Sequence, residues 1–149
     1  MKIIANNKKA NHDYFINEKF EAGIVLTGSE VKSLRINTGS IKESYITDKE
    51  GELWLTNCYI KKYSSSNESS DTNRDRKLLV SKKELHKILG ASKKEGMTIV
   101  PIILYFNTKG LAKLTIGIAK GKKKQDKRHS IKDKEWSIKQ QRLVKNRLI

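Results

Sequence analysis

Acidic side chains are in short supply here: 16 Asp and Glu face 32 Lys and Arg, a formal charge of +16 over 149 residues. That imbalance points to polyanionic partners, either nucleic acid or an anionic membrane surface. Cysteine is nearly missing as well. Cys58 stands alone, which excludes an internal disulfide. No run of about 18 apolar residues exists, so no helix is expected to span a bilayer. The start, Met1-Lys2-Ile3-Ile4-Ala5-Asn6, lacks the apolar centre of a signal segment, and a cytosolic protein is expected. The three histidines, His12, His86 and His129, are scattered without metal-ligand spacing. Motifs of the forms H-E-x-x-H, G-x-S-x-G and G-x-x-x-x-G-K-[ST] are all missing. Cys58 falls in a predicted strand with no adjacent histidine, so a buried structural thiol is the stronger reading than a nucleophile. No enzyme, metal or cofactor is expected.

What is present is charge, and it is unevenly placed. Residues 120–149 hold twelve Lys or Arg against three acids, a net +9 on a fifth of the chain. Charge packed so densely repels itself, and the segment is expected to stay solvated until a polyanion neutralises it. Trp136, Gln140, Leu143 and Arg147 fall on one side of an imagined helix, with Ile138, Arg142 and Lys145 on another. These apolar residues are too few for a core face, yet enough to steady a helix lying on a charged surface. Trp136 has two uses there, stacking on a base or packing against the partner.

The remainder reads as one domain, residues 1–119, with the tail at 120–149. Residues 1–11 are polar and basic and are expected to form an arm. Alternation from His12 to Leu26 predicts one long or broken strand. Thr27-Gly28-Ser29-Glu30 and Ser81-Lys82-Lys83-Glu84 are capping boxes that open two short helices. Hairpins are predicted over 41–47 with 52–59, and over 98–106 with 111–119. Between them, 61–75 is rich in serine and is expected to be a loop. In the last strand Leu114, Ile116 and Ile118 point inward, while Lys113, Thr115 and Gly117 point outward. Several strands and two or three short helices without βαβ alternation predict a mainly β protein, a small antiparallel barrel. The OB-fold is the usual barrel of this kind that binds oligonucleotides, a step taken by analogy.

Candidate contacts to a polyanion follow from position. Arg74, Arg76 and Lys77 form one basic set, with Lys113 and Lys120 at the two ends of the last strand. Gly121 beside Lys122 would let a backbone approach phosphates closely. Glu30 is accounted for by its capping box. Glu21 is either a solvent-facing strand residue or a carboxylate that accepts from base edges and 2′-hydroxyls. A general single-strand binder would need several aromatics on an exposed face, and this chain has ten in all.

Several motifs together resemble one family, SmpB, the SsrA-binding proteins of bacterial trans-translation. They are Asn7-Lys8-Lys9-Ala10 with His12-Asp13-Tyr14; Glu21-Ala22-Gly23-Ile24; Gly28-Ser29-Glu30-Val31-Lys32-Ser33-Leu34-Arg35; Arg76-Lys77-Leu78-Leu79; and Ala119-Lys120-Gly121-Lys122 through Asp126-Lys127-Arg128. The resemblance implies an OB-type barrel that binds the tRNA-like part of transfer-messenger RNA (tmRNA). Asn7, Tyr14, Glu21, Leu79, Lys113, Lys120 and Gly121 would then lie in or support the RNA-contacting surface, joined by Arg76 and Lys77. Lys122, Lys123, Asp126, Lys127, Arg128, Trp136, Lys139 and Arg142 would belong to a tail entering the ribosome's decoding region and empty mRNA channel. Elongation factor Tu and alanyl-tRNA synthetase would be met indirectly, through the RNA. One departure from the family pattern is Asp75, which separates Arg74 from Arg76 where relatives often carry proline.

Overall fold

In the computed structural model, residues 1–36, 39–63 and 72–122 are described. Nine strands and three helices occur among them. The strands are β1 (Lys2–Asn6), β2 (Tyr14–Ile24), β3 (Gly39–Ser40), β4 (Tyr45–Lys49), β5 (Glu52–Thr56), β6 (Tyr59–Ile60), β7 (Arg76–Leu79), β8 (Met97–Phe106) and β9 (Ala112–Gly121). The helices are α1 (Lys8–Asp13), α2 (Gly28–Ile36) and α3 (Lys82–Ser92). Seven strands make one sheet in the order β1-β8-β9-β2-β7-β5-β4, and β3 pairs with β6. Every ladder is antiparallel. The chain is therefore mainly β, as predicted. The expected barrel is not closed: β4 comes against β8, but no ladder joins the two ends of the sheet among the described residues.

Local signals placed α2 and α3 well, while α1 was not among the expected elements. Thr27 N–H donates to Glu30 Oε1 at 2.9 Å while Glu30 N–H donates to Thr27 Oγ1 at 3.2 Å, the two reciprocal arms of a capping box. At α3 only half of the box forms. Glu84 N–H donates to Ser81 Oγ at 3.2 Å, and that hydroxyl donates to Glu84 Oε1 at 3.0 Å. Ile88 on α3 is buried, with Leu85 and Leu89 partly buried against the same core.

Two expectations are corrected. The arm over residues 1–11 is a strand and a helix. β1 pairs with β8, Ile4 and Ala5 pack on the main core, and Ala10 is buried in a second cluster. Apolar residues this few still hold the segment, because both strand and helix find a partner surface. The body also does not stop at 119. β9 runs through Gly121, and Lys122 N–H donates to Asp13 O at 2.8 Å.

The core has two faces. Leu114, Ile116 and Ile118 of β9 join Phe20, Ala22 and Ile24 of β2 in the main cluster. Ala119, Val100 and Ile102 meet Ala10 of α1 on the opposite face of β8 and β9. Gly117, predicted to face solvent, lies beneath that second layer. A Cβ there would come within 2.9 Å of Ile102 Cδ1 and 3.0 Å of Ile16 Cγ2, so glycine permits the close approach. The register of β2 against β9 shifts between Ile16 and Glu18. This bulge lets β2 serve the second cluster with Tyr14 and Ile16, and the main core from Phe20 onward.

Candidate nucleic-acid interface

The sheet register brings the predicted residues into two groups at opposite ends of the β2–β9 pair. Gly23 stands opposite both Leu79 of β7 and Lys113 of β9, and Lys113 stands opposite Tyr105 of β8. Leu79, Gly23, Lys113 and Tyr105 thus form one row across four strands. Glu21 lies in the next row, opposite Thr115. Both rows face away from the main core, since Glu21 and Gly23 alternate with buried Phe20, Ala22 and Ile24. Leu79 is 52 % exposed, an apolar side chain left on the surface of a basic protein. It borders a groove of about 400 Å³ with Leu26, Val31, Leu111, Arg35 and Lys113. Apolar floor with cations at the rim suits a ligand that has both ring or sugar faces and phosphates.

Tyr105 was not singled out from sequence. Burial, hydrogen bonding to Glu21 and the charge of that carboxylate push its phenol up to about 12. It therefore stays protonated at neutral pH beside that carboxylate. The signal that could have found it was hairpin register: Tyr105 falls opposite Lys113 on the face shared with Thr115.

At the other end of the pair, Tyr14 stands opposite Gly121, and Lys120 opposite both Phe15 and Met97. Asn7 is buried beside them. Its Nδ2 donates to Pro101 O at 2.9 Å and its backbone N–H to Ile102 O at 2.8 Å. Asn7 and Tyr14 line a cavity of about 150 Å³ together with Lys9, Asp13 and Lys42. Tyr14 to Gly23 is nine steps of β2, about 30 Å at the rise of an extended strand.

In the third predicted set, Arg76 is not free to bind phosphate as expected. Arg76 is 0 % exposed. Its Nε donates to Glu30 Oε2 at 2.7 Å, and its other nitrogens reach the carbonyls of Cys58, Arg74 and Thr72. Arg74 Nη2 lies 2.5 Å from Glu30 Oε1. The prediction that Arg76 contacts RNA is corrected: a buried Glu30 consumes its charge and fixes the start of β7. Burial raises the Glu30 carboxyl, but hydrogen bonds from Arg74, Thr27 and Arg76 with the Arg76 charge outweigh this and hold it below 4.5. Lys77 pairs with Glu52 at 3.0 Å, and Asp75 pairs with Lys49. Among the described residues no salt bridge engages Lys113 or Lys120.

Cys58 is fully buried, and burial pushes its thiol up to about 11. It is a packing residue with no thiolate to offer at neutral pH. Among the described residues no cluster of His, Cys, Asp and Glu is arranged to hold a metal, and no helix is long and apolar enough to cross a membrane. Among the described residues, the exposed aromatics Phe15, Tyr45 and Tyr59 sit on three different strands and make no stacking row. Lys123, Asp126, Lys127, Arg128, Trp136, Lys139 and Arg142 lie outside the described residues.

A family model described as SmpB protein matches residues 4–146. An SsrA-binding protein from Wolbachia pipientis subsp. Culex pipiens is 50 % identical over 149 residues, covering 99 % of this chain and 100 % of that protein. The SsrA-binding protein of Jannaschia sp. is 53 % identical over 145 residues, covering 97 % and 92 %. That of Rickettsia bellii is 52 % identical over 147 residues, covering 98 % and 97 %. Among solved structures, a chain from work described as "tmRNA-SmpB: a journey to the center of the bacterial ribosome" superposes with a TM-score of 0.66. It is 42 % identical, and the match covers 85 % of this chain and 92 % of that one.

Proposed function

The chain belongs to the SmpB family, and from that premise we propose that it binds tmRNA and acts with it on the bacterial ribosome in trans-translation. The observation that carries this most is the match to SsrA-binding proteins at about half identity over almost the whole length. The chain supplies no chemistry in this role. It is an RNA-binding adaptor, working where bacterial ribosomes work, in the cytoplasm. Elongation factor Tu and alanyl-tRNA synthetase are reached through the RNA rather than through this protein.

The body and the tail divide the task. The row Leu79–Gly23–Lys113, with Glu21 beside Tyr105, offers a rigid face on which the tRNA-like fold of tmRNA is recognised by shape. Phosphate contacts give much of the affinity, and 2′-hydroxyl contacts select RNA of the right form. A carboxylate is useful on such a face because it accepts from base edges and hydroxyls, while it repels phosphate placed out of register. Lys120 and Gly121 belong to the second group, where the chain passes from the body into its basic tail. The tail, with Asp126, Lys127, Arg128 and Trp136, enters the decoding region and tests whether the mRNA channel is empty.

The test is preference for fold. The protein should bind an isolated tRNA-like RNA more tightly than an unstructured oligonucleotide of equal length. Equal affinities would overturn the reading. Lys113→Ala should weaken binding to the tRNA-like RNA and lower the magnitude of its salt slope by roughly 0.7–0.9, the share of one phosphate. Titrations at three or four salt concentrations measure this. An unchanged slope would leave Lys113 a surface charge with no part in the interface.

A further inference from the structure

Where β9 ends, the chain is fastened to the far end of its own sequence. Lys122 N–H donates to Asp13 O at 2.8 Å, and its ammonium donates to Asn11 O at 3.0 Å. The same ammonium lies 4.9 Å from the centroid of the Phe15 ring. Carbonyls at the end of a helix lack intrahelical partners, and Lys122 serves those of Asn11 and Asp13 at the end of α1. Phe15 is 46 % exposed and belongs to neither apolar cluster. Its ring contributes to no core, but it does lie under a cation. The β2–β9 register, with Tyr14 opposite Gly121 and Phe15 opposite Lys120, brings these groups together.

We infer that Phe15 is a positioning residue: with Asn11 and Asp13 it clasps Lys122 and so fixes the point and heading from which the basic tail leaves the body. Lys122 then belongs to the clasp rather than to the ribosome-engaging residues. A strand end held by one backbone hydrogen bond frays readily. Adding a carbonyl contact and a cation over a ring keeps the exit fixed. A fixed exit raises the effective concentration of the tail at its target, since fewer departures point away from it. The inference rests on the role proposed for the tail, and it adds a residue that no RNA contact explains.

Two readouts test it on the full chain. Amide hydrogen exchange at Lys122 reports the clasp without any ribosome. A cation–ring contact at an exposed site supports a change of roughly three- to fivefold, so Phe15→Leu should speed that exchange by about this factor. The same variant should lower ribosome rescue by a similar factor at subsaturating protein. Its melting temperature should stay within about 3 °C of wild type, and its affinity for isolated tRNA-like RNA within about twofold. Phe15→Trp, which keeps an aromatic face, should restore both exchange and rescue. Lys122→Gln should mimic Phe15→Leu, and the double variant should be no worse than either single one. Unchanged exchange in Phe15→Leu overturns the proposal. So does rescue that is untouched despite faster exchange, or a loss of RNA affinity equal to the loss of rescue. Wild-type protein inactive in rescue would sink the functional reading alone, and exchange would still judge the clasp.

Discussion

Glu30→Ala should cost about 3–5 kcal/mol of unfolding free energy, read by urea denaturation, the range seen when one partner of a buried ion pair is removed. The reason is what remains behind. Arg76 is fully enclosed and always charged, and without Glu30 its guanidinium has only carbonyl oxygens for company. Two further losses accompany it: the capping arm to Thr27 N–H and the tie to Arg74. An exposed pair such as Lys87 with Glu18 should matter by under about 1 kcal/mol. Replacing both buried partners by apolar residues, Glu30→Met with Arg76→Leu, should therefore be milder than Glu30→Ala alone. If Glu30→Ala proves as mild as loss of the Lys87 pair, the cluster is not what holds α2 to β7. The pH dependence has a definite sign. Glu30 titrates lower in the folded chain than its ordinary 4.5, so the unfolded chain binds its proton first as pH falls. Its stabilisation is complete above about pH 4.5 and is lost progressively below, through the folded value. Glu30→Gln should remove that part of the acid sensitivity.

This cluster also marks where sequence reading reaches its limit. Thr27 and Glu30 are three residues apart, and their mutual hydrogen bonds follow from spacing alone. A separation of 46 positions between Glu30 and Arg76 carries no such rule, so from sequence Arg76 reads as one more solvated cation in a basic stretch. Hairpins were legible for the same local reason. β8 and β9 are joined by a short turn, where Asn107 accepts from the N–H groups of Lys109 and Leu111. The pairing of β1 with β8 was not, because Asn7 meets Pro101 across 94 residues and the few apolar residues of the first segment gave little alternation. The bulge in β2 escaped as well. A strict period of two over that strand assigns one face throughout, whereas the register shift swaps faces midway and opens the second apolar layer. For the proposed interface, charge and family motifs supplied Lys113, Lys120 and Glu21 as candidates. Tyr105 needed the register, since what it does depends on standing diagonal to Glu21 across β9.

Removing residues 123–149 should abolish ribosome rescue, a fall of at least about 100-fold in a single-turnover assay, while RNA binding survives. The magnitude comes from the number of contacts the tail must make at once. Ordering about 15 residues costs on the order of 1–2 kcal/mol each, so the proposed tail takes form only where many phosphate and packing contacts arise together, and partial engagement gains nothing. Survival of RNA binding follows from what is left. The removed segment carries ten Lys or Arg and three acids, a net +7, which leaves +9 of the original +16 on the body. Both apolar clusters lie within the retained residues, as do Glu21, Leu79, Lys113 and Lys120. The truncated protein should therefore melt with the full chain and hold the tRNA-like RNA within about threefold at moderate salt, with a shallower salt slope from the lost charge. The counter-result is specific: if truncation abolishes binding to the isolated RNA, the tail is part of the grip, and the division between a reading body and a probing tail fails. A charge-preserving control separates sequence from electrostatics. Replacing Trp136 by Ala leaves every charge in place, and if it alone lowers rescue by tenfold or more, packing of that ring, not attraction to phosphate, decides whether the tail settles.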